Sequence, residues 1–238
     1  MSGSTSYLVA QQNLVVEGVD DFWILTELSR LFQRSGKPGI SDDIFITPAG
    51  GASEAVYITT FMVGQKLQVA TLLDSDGSGN DAKDKLVKKW LTRYQDNHAK
   101  VLSLGECVGV TDREFSIEDL FTEDWYLAKV WEVYQKQLTA AGCDKLNVSG
   151  SGQLVKRVEA AFEGYGVRFN KGSVAKIVRN SLCKMSKVDQ LAAETIKMAE
   201  RLIGTINSAL PIEKEETLGH QEKSKRAESH GRAVAKAA

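Results

Sequence analysis

Short apolar runs alternate with amphipathic segments in the first half of the chain. The runs at 13–16, 44–47, 69–73 and 100–104 each have the length of one buried strand. The segments between them repeat apolar residues at helical spacing, and Gly or Pro residues separate several of the elements. Four strands that alternate with three helices predict an α/β fold, with a parallel sheet flanked by helices.

After Gly105 the pattern becomes mostly helical. Apolar stripes at helical spacing predict helices around Val130, Val158 and Val178. From residue 213 onwards the chain is mixed in charge and poor in apolar residues, which is typical of a frayed or disordered segment. We therefore divide the chain into a leader at 1–12, an α/β core at 13–121, a helical region completing the same domain at 122–210, and a polar tail at 211–238.

The composition is that of a globular protein and gives no sign of a membrane or zinc-binding protein. The chain has 238 residues, of which 42% are hydrophobic and 26% are charged, as in an ordinary globular protein. Its formal net charge of −1 gives no overall attraction to nucleic acid, so any contact with DNA must come from local basic patches. The cysteines Cys107, Cys143 and Cys183 lie far apart, and no apolar run approaches the ~18 residues of a membrane span. We therefore expect a cytoplasmic protein without a zinc cage or a membrane segment.

The first candidate for chemistry is a pair of acids at the end of the third apolar run. Asp74 and Asp76 follow the run at 69–73, and a turn of small residues comes after them. Residues two apart in a strand point to the same side, so the two carboxylates can aim at one point. Such a pair becomes favourable when a divalent cation, above all Mg²⁺, lies between them. The alternative is a solvated turn rich in Asp, Ser and Gly.

Other acids follow neighbouring elements. Ligands in open α/β sheets gather at the carboxyl ends of the strands, which places Glu17, after the first run, beside the Asp pair. Asp21 lies four residues later, in the first turn of a predicted helix, and can face the same crevice. Asp20 shares that turn and is interpreted as structural, because the helix dipole favours acids there. The segment 116–119 (Ser-Ile-Glu-Asp) has capping-box spacing and can also present Glu118.

These motifs resemble a known family. The Val-Val-Glu-Gly strand end, the Asp-x-Asp after a later strand and the alternating β/α units resemble the Toprim domain, a Rossmann-like module of topoisomerases, primases and related nucleases. Together with Ser-Ile-Glu-Asp at 116–119 and Lys-Gly-Ser-Val-Ala at 171–175, they resemble the nuclease half of the OLD (overcoming lysogenization defect) family over residues 14–182. Members of that family carry an ATPase before the Toprim part, and no GxxxxGK(S/T) motif occurs here. The resemblance thus implies an ATPase domain N-terminal to this region in the full-length protein.

The resemblance also implies an activity and its residues. OLD-type nucleases resemble two-metal phosphodiesterases, which implies a DNA endonuclease that uses two Mg²⁺ or Mn²⁺ ions. By this match the first ion is bound, or bridged to the second, by Glu17, Asp21, Asp74 and Asp76. The second site is completed by Ser116 and Glu118, and the catalytic residues are Glu17, Asp74 and Lys171. Lys171 would supply positive charge to the cleaved phosphate, with Lys176 as the second choice.

Rival interpretations remain open at this point. The segment 74–78 resembles the DxDG(S/T) motif of haloacid dehalogenase-type phosphatases, in which Asp74 would be a covalent nucleophile. That motif usually lies on the first strand, whereas two β/α units precede it here. A receiver domain, another Toprim enzyme such as a primase or topoisomerase, and a ribonuclease are further alternatives. Contacts with the DNA backbone could come from Lys83, Lys85, Lys88, Lys89 and Arg93, or from Lys156 and Arg157.

Overall fold

A four-stranded parallel sheet forms the centre of the protein. The structure is a computed structural model that describes residues 12–91 and 99–211, except the side chains of 89–91. The strands are β1 (Gln12–Val16), β2 (Ile44–Pro48), β3 (Gln68–Leu73) and β4 (Ala99–Ser103), in the spatial order β2-β1-β3-β4. All three strand pairings are parallel, which confirms the predicted α/β fold.

Helices cover both faces of this sheet and continue beyond it. Eight α-helices lie within the described ranges: α1 (Val19–Arg34), α2 (Ala52–Gly64), α3 (Gly77–Lys85), α4 (Leu104–Val108), α5 (Glu123–Ala140), α6 (Leu154–Gly164), α7 (Lys171–Lys184) and α8 (Ala193–Ala209). A stretch of π-helix at Leu86–Leu91 continues α3, and 3₁₀ turns occur at Ile117–Leu120 and Val188–Gln190. None of the described helices is long and apolar enough to cross a membrane.

Alternate residues of the two central strands pack into two different cores. The larger core contains α1 and the helices after β4, and its residues from the central strands are Leu14, Val16, Ala70 and Leu72. The smaller core contains residues of α2 and α3, and its residues from the central strands are Val15, Val69 and Leu73. Because side chains alternate across a strand, β1 and β3 are buried on both faces. The helical second half thus packs onto the α1 face of the sheet.

A side-chain cap sets the start of helix α3. This helix begins at Gly77, because the Asp76 carboxylate accepts a hydrogen bond from the Gly79 N–H (2.9 Å) and caps the helix. Helix α2 begins at Ala52, directly after Gly51. Residues 1–11 of the predicted leader and 212–238 of the predicted tail lie outside the described residues, whereas Gln12 belongs to β1.

Candidate metal centre

The ends of the two central strands are joined by a direct contact between two site residues. Glu17 follows β1, and its Oε1 accepts a hydrogen bond from the backbone N–H of Asp74, which follows β3 (2.8 Å). The strands pair in parallel with Val16 opposite Leu72, so their carboxyl ends lie side by side. The parallel topology therefore brings Glu17 and Asp74 together although they are 57 residues apart in the sequence.

A glycine permits the close packing of helix α3 against this strand end. A Cβ atom on Gly79 would lie 2.0 Å from the backbone oxygen of Asp74 and 3.2 Å from Oε1 of Glu17. The first distance is far below van der Waals contact, and the atom it involves is backbone. Any side chain at residue 79 would therefore push α3 away from the two acids.

The first turn of α1 contributes two buried acids. Asp21 accepts a hydrogen bond from the Gly18 N–H through Oδ2 (2.7 Å), which fixes it under the start of the helix. Burial is the largest cause that raises the pKa of Asp21 to about 7, and the charges of Glu118 and Glu17 act in the same direction. Asp20 is also buried, and burial raises its pKa against the lowering effect of Lys171.

Glu118 reaches the centre from a capped 3₁₀ turn. Asp119 accepts hydrogen bonds from the N–H and the hydroxyl of Ser116 (both 2.9 Å), and its other oxygen accepts from the Leu154 N–H and from Arg113 (both 3.0 Å). Asp119 therefore ties the turn to α6. Glu118 is only 2% exposed, and burial raises its pKa despite the charge of Lys171.

Lys171 faces these acids from the first residue of α7. The turn before it is fixed because the Asn170 N–H donates to the Tyr134 hydroxyl (2.8 Å). Burial alone would lower the pKa of Lys171, but the surrounding carboxylates, led by Glu118 and Asp21, outweigh burial and raise it. No carboxylate of the described residues lies within the 4.0 Å of an ion pair with Lys171, so its charge acts across the centre without being committed to one partner.

Asp74 lies among the other acids of the centre. Burial is the largest cause that raises its pKa well above the ordinary value, and Asp21, Glu118 and Glu17 all add to the effect. Burial likewise raises the pKa of Glu17. Like charges held this close favour either bound protons or a bound cation. The structure thus brings Glu17, Asp21, Asp74, Glu118 and Lys171 to one edge of the sheet; the role of the four acids as metal ligands stays a prediction.

Two predicted ligands have other partners in this structure. Strand β3 ends at Leu73, so the alternation of a strand does not extend to Asp76. The carboxylate of Asp76 instead accepts from the Gly79 N–H and the Ser78 hydroxyl (both 2.9 Å) and lies 3.4 Å from Lys156 Nζ. Burial acts to raise the pKa of Asp76, but these hydrogen bonds and the nearby cation lower it overall. The hydroxyl of Ser116 donates to Asp119 as described above and is buried with it.

The structure adds an acid that the sequence pattern assigned to a structural role. Oδ1 of Asp20 and Oε1 of Glu118 are both buried, and neither has a hydrogen-bond partner among the residues described. A buried carboxylate oxygen without a donor is costly, and a bound cation would compensate it. The spacing of four residues from Glu17 favoured Asp21 over Asp20 in the sequence, but that spacing carries no information on the burial of Asp20.

The donor set fits a hard divalent cation. All the candidate ligands at the strand ends are carboxylate oxygens, which suit Mg²⁺ or Mn²⁺ rather than softer metals. As the side chains stand, no three Asp, Glu, His or Cys residues within 12–91 and 99–211 converge closely enough to hold an ion. A small cavity of about 10 Å³ lies between the strand ends, and its lining includes Asp21 and Asp74. Cation binding at this centre therefore requires the carboxylates to draw closer together.

Comparison with solved structures finds likenesses to the C-terminal regions of OLD proteins. The chain is 14% identical to that region of the Burkholderia pseudomallei OLD protein, with a TM-score of 0.44, and the match covers 84% of this chain and 100% of that one. For the same region of the Xanthomonas campestris pv. campestris OLD protein the identity is 12%, the TM-score 0.44 and the coverage 84% and 95%. No protein-family model and no curated protein matches the chain. These solved structures come from the same family that the acidic motifs resemble.

Proposed function

We propose that this chain is a divalent-metal-dependent nuclease that hydrolyses DNA phosphodiester bonds, and that it is the catalytic part of an OLD-type ATPase–nuclease. The observation that carries the proposal is the cluster of four acids, Glu17, Asp21, Asp74 and Glu118, at one edge of the sheet beside Lys171. Their pKa values are all raised from the ordinary range, with burial as the largest cause. Carboxylates held this close repel one another when they are ionised, and a bound divalent cation would offset that repulsion.

The residues of the centre divide into two groups by position. Glu17, Asp21 and Asp74 surround the strand ends and would hold the first ion, or bridge it to the second. Glu118, with its unpaired buried oxygen, comes from the 3₁₀ turn at Ile117–Leu120 and would hold the second ion together with Asp20. When bound, such a pair of ions activates a water molecule and stabilises the leaving oxygen of the phosphodiester.

Asp76 and Ser116 take supporting parts in this proposal. Asp76 caps α3 through the Gly79 N–H, and its charge still acts on Glu17. It would contact a cation only after it gives up the hydrogen bonds of the cap or the contact with Lys156. Ser116 holds the turn that presents Glu118, together with Asp119. We therefore assign positioning roles to both residues.

Lys171 is suited to act on the substrate. Its ammonium group has no ion-pair partner within 4.0 Å in the described part of the chain, yet four acids act on it. A cation held in this way can meet the negative charge that develops on a phosphate during cleavage. The bound phosphate would lie between Lys171 and the ions, so charges of opposite sign alternate across the centre.

The test is a plasmid-cleavage assay with a parallel measurement of metal binding. We expect nicking or cutting with Mg²⁺ or Mn²⁺, none with EDTA, and none from Asp74→Asn, which keeps the shape of the side chain. The melting temperature should rise with Mn²⁺ in the wild type and not in Asp74→Asn. The exposed Glu163, replaced by Gln, is the control and should behave as the wild type. Metal-independent cleavage, or no stabilisation by either metal, would refute the proposal.

A small phosphomonoester separates this proposal from the phosphatase alternative. In that alternative Asp74 attacks phosphorus as a carboxylate and forms a covalent intermediate. We expect no turnover of p-nitrophenyl phosphate under conditions in which plasmid is cleaved. Turnover of that compound without cleavage of DNA would favour the phosphatase.

A further inference from the structure

A tryptophan with two cations lies on the helices that carry the acidic centre. Lys176 Nζ lies 5.9 Å from the centroid of the Trp23 ring, and Arg179 Cζ lies 5.6 Å from it. Trp23 belongs to α1 and the two cations belong to α7, three residues apart, so they lie on one face of that helix. We call Trp23, Lys176 and Arg179 the ledge.

The two cations of the ledge form no ion pair with an acid among the described residues. Among the described residues, no carboxylate lies within the 4.0 Å of an ion pair with Lys176 or Arg179; the guanidinium of Arg179 donates to the side chain of Asn180 (3.2 Å). Four of the other basic residues that the sequence offered for DNA contact are paired with acids instead; they are Lys83 with Glu106, Lys88 with Asp84, Lys156 with Glu114 and Asp76, and Arg157 with Glu123. Lys85 has no ion pair within the described ranges, and the side chains of Lys89 and Arg93 lie outside them. The ledge therefore keeps positive charge available where those residues do not.

The ledge adjoins the acidic centre directly. Trp23 follows Asp20 by three residues on α1, and the charge of Lys176 acts on Asp20. On α7, Lys176 is five residues after Lys171, a rise of about 7.5 Å along the helix axis. Because Lys171 and Lys176 both act on Asp20, a strand whose phosphate lies at Lys171 would have its neighbouring nucleotides within reach of the ledge.

We propose that the ledge holds a single-stranded segment of nucleic acid next to the bond that is cleaved. This inference rests on the proposed function and adds the class of substrate to it. Two cations beside an aromatic ring are the combination that binds single strands, because the cations contact phosphates while a base stacks on the ring or on the guanidinium plane. In a duplex the bases are stacked on one another and are not available to the ring. The substrate would then be a single strand, or a duplex with an unpaired segment.

A purely structural role for the ledge makes different predictions. If the ring and the cations only joined α1 to α7, their removal would lower stability and leave the salt dependence of binding unchanged. If the cations bind phosphates, the slope of log K against log salt falls by about 0.7 for each phosphate contact that is lost from a single strand. The slope therefore distinguishes the two roles.

The experiment measures binding without cleavage. Fluorescence anisotropy of a labelled oligothymidine and of a duplex of equal length is followed in EDTA over a range of salt concentrations. We expect Trp23→Ala to weaken binding of the single strand roughly 5- to 100-fold, with a smaller effect on the duplex. The double variant Lys176→Gln with Arg179→Gln should weaken it too and should reduce the salt slope by about 1.4.

A second pair of a tryptophan and a cation in the same chain provides the control. Lys129 Nζ lies 5.1 Å from the centroid of the Trp125 ring, and none of the pKa shifts of the site acids is attributed to Lys129. Lys129→Gln and Trp125→Phe should bind the single strand as the wild type does. Trp23→Phe, which keeps an aromatic ring, is measured beside Trp23→Ala in case the latter does not fold, and should retain most of the affinity.

The outcomes separate this inference from the proposed function. Unchanged affinity and unchanged salt slope in folded ledge variants would overturn the ledge, even if the wild type cleaves plasmid. A loss of affinity with an unchanged slope in the variant Lys176→Gln with Arg179→Gln would assign the ledge to structure and overturn the inference as well. Binding of the single strand through the ledge by a protein that never cleaves with Mg²⁺ or Mn²⁺ would refute the nuclease and leave the ledge standing.

Discussion

Replacing Asp21 by Asn should change how the stability of the metal-free protein depends on pH. The side chain is buried, and its pKa is raised from 3.8 to about 7, with burial as the largest cause. Below pH 3.8 the group is protonated in both the folded and the unfolded state. Between that value and about 7 the unfolded state loses the proton while the folded state keeps it, so stability falls as pH rises. Above about 7 both states are ionised and the full penalty remains.

The rise in the pKa of Asp21 determines how much stability the protein loses. A rise of about 3 pKa units corresponds to about 4 kcal/mol in the free energy of unfolding, at about 1.36 kcal/mol per unit. Asn keeps an oxygen that can accept the hydrogen bond from the Gly18 N–H, so little of this gain should be lost to a missing contact. We expect Asp21→Asn to be more stable than the wild type at pH 8 in EDTA, by roughly 2–4 kcal/mol.

Urea denaturation in EDTA at intervals from pH 5 to pH 8 measures this difference. The wild type should lose stability across the range, and Asp21→Asn should lose less. Addition of Mn²⁺ should restore the stability of the wild type at pH 8 and have a smaller effect on Asp21→Asn, because the bound ion takes the place of the proton. Glu163→Gln should follow the wild type. Equal pH slopes in the wild type and in Asp21→Asn would refute this account of the centre.

Three further substitutions test individual contacts. Gly79→Ala places a methyl group 2.0 Å from a backbone oxygen. Urea denaturation should show that the free energy of unfolding falls by about 1–3 kcal/mol, and plasmid cleavage should be lost. Gly77→Ala is the control and should be tolerated, because there is open space around its new methyl group. Asp119→Ala leaves two buried backbone N–H groups without an acceptor, and the free energy of unfolding should fall by about 3 kcal/mol in the same measurement. A loss below about 1 kcal/mol would show that the 3₁₀ turn does not depend on Asp119. Lys171→Ala should lower the cleavage rate roughly 100- to 1,000-fold while Mn²⁺ still raises the melting temperature. Lys197 is an exposed cation on α8, and Lys197→Ala should cleave and respond to Mn²⁺ as the wild type does. Equal rates in the two variants would exclude Lys171 from the chemistry.

The alternation of strands and helices could be predicted because it depends on local periodicity. Apolar runs such as 69–73 are long enough for one strand buried on both faces, and they follow one another with helices between them. That pattern leaves few topologies other than a parallel sheet. A parallel sheet brings the carboxyl ends of neighbouring strands together, so the approach of Glu17 to Asp74 also followed from the sequence.

What each carboxylate does at that edge was decided by tertiary packing. Asp76 caps α3 because Gly79 lets the helix approach the strand end, a distance that no spacing in the sequence encodes. Asp20 is buried with an unpaired oxygen because α7 covers the start of α1 and brings Lys176 and Arg179 over Trp23. Local periodicity selects the elements and their order. Burial, charge and hydrogen bonding at one point are set by elements far apart in the chain, so only the packed structure shows that Asp76 is a helix cap.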